Sequence, residues 1–169
     1  MIGYTLSCEY VVENYSAFLN VVRKNCDYFS IILDRKYDKN YSKEFSEFID
    51  NLEPYHVVTF HNPKITCHFW PKVFQVYRLC KQTKRLLAEN KYIFDYHDNK
   101  TPDIDIAFYQ FNRRMWFSTI IHEDLAFFYP FSDEELSDLR GTGIAVPEYR
   151  KFKTTEFYFP EKSNVFDVE

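Results

Sequence analysis

At 169 residues, 46% of them hydrophobic and 27% charged, the chain has the size and composition of one globular domain. Its three glycines, Gly3, Gly141 and Gly143, exclude a GxGxxG or Walker-type phosphate loop, and no apolar run is long enough to cross a membrane. A net charge of -4 and a pI near 5.8 weigh against a nucleic-acid binder, which is usually strongly basic.

In chain order, Ile2–Ser7 reads as a strand, and residues 10–24 read as a helix with Val11, Tyr15, Phe18, Leu19 and Val22 on one face. Arg23-Lys24 suits the end of that helix. The N-terminal segment has no basic region and carries Glu9 and Glu13 where a signal peptide would be apolar, so a cytoplasmic location is expected. Cys8, Cys26, Cys67 and Cys80 form no CxxC pair and read as reduced thiols packed as small hydrophobes. Residues 28–33 read as a buried strand, which gives a β-α-β opening long enough for a parallel crossover.

A second helix is expected at 42–52, apolar at Phe45, Phe48, Ile49 and Leu52, with Pro54 after its end. Strands follow at 55–60, 64–70 and 73–79. They are separated by a His61-Asn62-Pro63 turn and a Trp70-Pro71-Lys72 break. Residues 81–90 read as a short helix and 91–102 as a polar loop. The clearest pattern covers 104–129, where apolar runs at 104–109, 115–121 and 125–129 are broken at Gln110–Arg113 and at His122-Glu123-Asp124. This is the pattern of an antiparallel meander.

Alternation along 115–121 puts Trp116, Ser118 and Ile120 on one face and Met115, Phe117, Thr119 and Ile121 on the other. Trp116 reads as a structural anchor, packed on the helix layer or a neighbouring edge with its indole N–H on a carbonyl or water. Ser132 and Glu135 match a capping box that opens a short acidic helix, ended by Gly141-Thr142-Gly143. Residues 157–159 are expected to close the sheet, and 161–169 to form a flexible tail. The fold expected is a single α+β domain over residues 1–160, its sheet mixed or mostly antiparallel and its helices mainly on one face.

Aromatic residues make up 20% of the chain. Each ring can bury about 150–250 Å², so the core is built from rings and some tyrosines must lie at the surface.

The run Phe48-Ile49-Asp50-Asn51-Leu52-Glu53-Pro54-Tyr55, the Trp70-Pro71 pair and Val76-Tyr77-Arg78-Leu79 ahead of the 81–87 helix form one set of motifs. Asp105-Ile106-Ala107-Phe108-Tyr109, Trp116-Phe117 and His122-Glu123 complete it. The set resembles a family of small, uncharacterised cytosolic proteins of Gram-positive bacteria often labelled "stage III sporulation protein AH". The resemblance spans roughly residues 28–129, implies a cytosolic location, and carries no assigned activity or catalytic residues.

Three constellations offer chemistry. His56, His61 and His68, with Cys67, are the densest group of metal-ligand types, but Cys67 and His68 would face opposite sides of a strand, and ordinary half-buried strand histidines explain them as well. His122 with Asp124 invites an acid-base, hydrolase-type reading, against a polar turn that explains the same residues without chemistry. On a strand, His122 and Glu123 would make poor partners. Tyr77, Arg78, Lys81, Lys84 and Arg85 form a basic, tyrosine-bearing segment suited to a protein partner, or to nucleic acid as a weaker alternative. Residues 51–100 hold eight Lys/Arg and four Asp/Glu, whereas 101–169 hold seven and thirteen.

The expectation is a non-catalytic protein-binding module of immunity or regulatory type, with another protein as partner and homo-oligomers possible. No cofactor, membrane or nucleic-acid partner is expected.

Overall fold

Strands rich in β-branched and aromatic residues send alternate side chains to opposite faces. The computed structural model describes residues 1–34, 42–61, 72–90 and 104–163, and in it eight such strands join one sheet. They are β1 (Ile2–Ser7), β2 (Tyr28–Asp34), β3 (His56–His61), β4 (Lys72–Arg78), β5 (Asp105–Tyr109), β6 (Met115–Ile120), β7 (Leu125–Phe128) and β8 (Lys151–Lys153). Their order is β3-β4-β2-β5-β6-β7-β1-β8, and every pairing is antiparallel. The β5-β6-β7 meander is present. β1 and β2 point the same way, as a crossover requires, but β5, β6 and β7 lie between them.

Five helices accompany the sheet among the described residues: α1 (Cys8–Glu13), α2 (Tyr15–Asn25), α3 (Lys43–Leu52), α4 (Lys81–Glu89) and α5 (Asp133–Arg140). Ser7, Ser42 and Ser132 cap α1, α3 and α5 with their hydroxyls. The single helix expected over 10–24 is two helices. They break at Asn14, whose backbone (φ -108°, ψ 24°) leaves the helical path while its side-chain amide donates to the Tyr10 carbonyl.

All five helices lie on one face, where Val11, Phe18, Leu19, Val22, Phe45, Phe48, Leu87 and Leu139 pack against Phe29, Ile31, Ile106, Phe108 and Phe117 of the sheet. The opposite face, here the open face, has its own cluster from Ile32, Val58, Phe60, Phe74, Val76, Ala107, Tyr109 and Met115, to which no helix among the described residues contributes.

Two further expectations are corrected. Residues 157–159 are not the closing strand, since Tyr158 makes only an isolated bridge with Arg114, and the last strand among the described residues is β8 at the β1 edge. Phe157 and Phe159 instead lay their rings on the open face, against Phe60, Tyr28 and Tyr109. The alternation expected around Trp116 is broken by a bulge: Tyr109 pairs with Met115 and Phe108 with Phe117, which leaves Trp116 as the extra residue. Trp116 therefore turns to the helix face beside Phe117, while Met115 joins the open face.

The expected strand at 64–70 and the loop at 91–102 fall outside the described residues, as do positions 164–169. Of the expected tail, Glu161 pairs with Arg113 at 2.9 Å and the Ser163 hydroxyl donates to the Thr59 carbonyl at 2.6 Å. Among the described residues no helix is long and apolar enough to cross a membrane.

Candidate functional site

Lys72 opens β4 and Asp105 opens β5, and the intervening strand β2 brings both to the same end of the sheet. Both side chains fall on the open face and both are buried, Lys72 at 6% exposure and Asp105 at 4%. The Lys72 ammonium donates to Asp105 Oδ2, and Asp105 Oδ1 accepts the Ile121 N–H at 2.8 Å. A buried charge is tolerated only when it is paired and hydrogen-bonded in this way.

The pair forms the polar wall of a partly open cavity of about 230 Å³. Ile32, Phe74, Met115, Ile120, Phe127 and Phe152 supply its apolar lining. Ser118 and Tyr129 add hydroxyls, 3.5 Å apart. Burial raises the Tyr129 hydroxyl above its ordinary range, against the opposing hydrogen bond with Ser118, so it stays a protonated donor at neutral pH. Thr119 also borders the cavity, but its hydroxyl is committed to the N–H (2.9 Å) and carbonyl (3.3 Å) of Ile106. Phe152 reaches its place because its partner across the β1-β8 ladder is Gly3, where a Cβ would stand 2.6 Å from the ring.

A second buried polar system ties α5 to the meander. Glu135 accepts from the Trp116 indole N–H at 3.1 Å, from the Phe131 N–H at 2.8 Å and from the Gln110 amide at 2.7 Å. The Gln110 carbonyl in turn accepts from Arg114 at 3.0 Å, and Arg114 also donates to the Tyr129 carbonyl. Arg114 Nε lies 3.2 Å from Glu156, close enough for ion pairing but outside hydrogen-bond geometry. Apart from Arg114 Nε, these groups satisfy one another around a structural tryptophan, so the system reads as framework.

The sequence candidates are dispersed. His122 lies in a 3-10 turn (Ile121–Glu123) and not on a strand, which lets its ring approach Glu123 at 3.7 Å. Asp124 adopts a left-handed backbone (φ 52°) and spends both carboxylate oxygens on α1, accepting from the Ser7 hydroxyl at 2.7 Å and the Glu9 N–H at 3.0 Å. It is a capping residue, and neither it nor His122 lines the cavity. His56 and His61 stand at opposite ends of β3, on the order of 16 Å apart at strand rise. They bond instead to Thr59 and to the Lys72 carbonyl. His68 and Cys67 fall outside the described residues, among which no cluster of metal-ligating side chains is found.

Of the basic segment, Arg78, Lys81 and Arg85 are exposed. Tyr77 is not available to a partner: it is 1% exposed, with its ring against Phe29 and its hydroxyl on Gln75. The Lys84 ammonium donates to Asn20, and its pKa is lowered by partial burial and by nearby Arg23. Burial raises the pKa of Cys80, but hydrogen bonds from Thr83 and Gln82 and the charge of Arg78 outweigh it and lower the thiol overall. Cys8 and Cys26 are raised, chiefly by burial.

Sequence reading missed Lys72 and Asp105. The available signal was a lone acid inside the apolar run Ile104-Asp105-Ile106-Ala107 and a lysine at the head of an alternating strand. A charge in such a place is either paired or functional. No family model, no curated protein and no solved structure matches the chain, so the resemblance over residues 28–129 rests on its quoted motifs alone.

Proposed function

We propose that the protein is a non-catalytic binding domain whose open-face cavity takes a small, mostly apolar molecule. The observation that carries this reading is Lys72. Its buried ammonium has three N–H donors and, among the described residues, one partner, Asp105. Its two further N–H donors at the wall of a mostly apolar cavity are the combination that orients a ligand: apolar surface for affinity and a few placed polar groups for specificity.

Ligand-observed NMR on the full chain, using a mixture of small aromatic compounds, tests the reading. Saturation-transfer signals are expected with the wild type and their loss in Ser118→Phe, which fills the cavity. Absence of signal from the wild type, or an unchanged signal in the variant, would refute it.

A protein partner is the second reading, favoured by the exposed Arg78, Lys81 and Arg85 beside Arg23, a surface suited to an acidic protein. Lys81→Glu with Arg85→Glu would abolish such an association while leaving the cavity untouched.

A further inference from the structure

We infer that the cavity selects an uncharged guest, namely a compact aromatic molecule with a single hydrogen-bond acceptor, of the aryl ketone or aldehyde class. This rests on the cavity being the binding site.

Size is the first constraint. An apolar cavity of about 150 Å³ takes one benzene, so 230 Å³ corresponds to a guest of roughly nine heavy atoms. Shape is the second. Phe152 meets Phe127 at 6.1 Å and Tyr129 at 6.2 Å, both nearly perpendicular, so the wall there is made of ring edges and faces that suit a flat aromatic body.

Charge decides the rest. Lys72 is already matched by Asp105, and both Asp105 oxygens are engaged, one by Lys72 and one by the Ile121 N–H. A carboxylate guest would bring a third buried charge beside a pair that is neutral in sum, and its desolvation would have no counter-charge left to offset it. A cationic guest would find Asp105 taken and the Lys72 ammonium facing it. Among the described residues, the groups with a donor to spare are Lys72, with two N–H, and one hydroxyl of the Ser118–Tyr129 pair, whose mutual hydrogen bond uses the other. A neutral carbonyl oxygen at that wall accepts from Lys72 without disturbing the ion pair.

Acetophenone, cumene and benzoate have the same heavy-atom count and nearly the same outline, and differ in presenting a neutral acceptor, no acceptor and a charged acceptor. Calorimetric titration of the full chain should give acetophenone the tightest binding, by about tenfold over cumene, the worth of one charge-assisted hydrogen bond. Benzoate should bind no better than cumene. In Lys72→Met/Asp105→Asn, which removes both charges together and so avoids stranding one of them, acetophenone should fall to the level of cumene. Benzoate binding as tightly as acetophenone would overturn the inference in favour of an anion site. Equal binding of cumene and acetophenone to the wild type, or a preference that survives in the double variant, would overturn it in favour of shape alone. If none of the three binds, or all bind Ser118→Phe unchanged, the cavity itself is not the site and both readings fall.

Discussion

The two faces of the sheet are built on different principles. On the helix face Phe18 packs against Phe117 at 4.9 Å and Phe108 at 5.8 Å, and the buried polar groups, such as Glu135, are saturated by framework donors. On the open face a buried ion pair borders a cavity of about 230 Å³. An antiparallel sheet needs only one sealed face to fold, so the second can carry polar groups and empty volume that a stability-driven core would not keep. The contrast predicts where substitutions damage the fold and where they damage binding.

The largest loss should come from the helix face. Trp116→Ala removes a fully buried ring and one of the two donors to Glu135 Oε2, which keeps the Phe131 N–H. Loss of the ring is worth about 3–5 kcal/mol, and loss of its hydrogen bond to Glu135 adds about 1 kcal/mol. Denaturant unfolding should show a midpoint near collapse. A wild-type midpoint would mean that the helix-face core does not hold the domain.

Next comes Lys72→Met, which leaves Asp105 buried without its cation and should cost about 3–5 kcal/mol. Adding Asp105→Asn keeps an acceptor for the Ile121 N–H and should recover most of that loss. A double variant as unstable as the single one would place Lys72 in the framework and erase the distinction between the faces.

Asp124→Ala removes a carboxylate cap from α1 and should cost about 1–2 kcal/mol in unfolding experiments while leaving cavity binding unchanged. A loss of binding with full stability would restore the acid-base reading of His122 and Asp124.

The smallest effect near neutrality is that of pH. Burial raises Cys8, Cys26, Tyr15, Tyr77 and Tyr109, each of which stays protonated in the folded state. Their contribution to stability is complete below the ordinary values of 9.0 for Cys and 10.0 for Tyr, and is lost as pH rises beyond those values towards the folded ones. Thermal midpoints should be level on their account up to about pH 9 and then fall. Tyrosine absorbance should titrate in two groups, the second only on unfolding.

Much of this contrast is legible in the sequence, and one part is not. Runs such as Phe29-Ser30-Ile31-Ile32 announce a strand whatever surrounds it, because the signal is local. The position of Trp116 is not local. A one-residue bulge against Tyr109 reverses its face, and only the paired strand reveals it. Asn14 splits a helix whose apolar spacing runs on without interruption, so periodicity alone conceals the break. The cavity is less legible still, since Lys72 and Asp105 lie 33 residues apart and meet only through their shared neighbour β2. The histidines, by contrast, drew notice by residue type, and type says nothing about convergence.

Methyl-resolved NMR of the full chain titrated with acetophenone tests the division between the faces most directly. Ile32, Met115 and Ile120 line the cavity, while Leu19, Val22 and Leu139 belong to the helix-face core. Shifts confined to the first three would bear out a sealed face that holds the fold and an open face that holds the ligand. Shifts centred on the second three, or none at all, would contradict it.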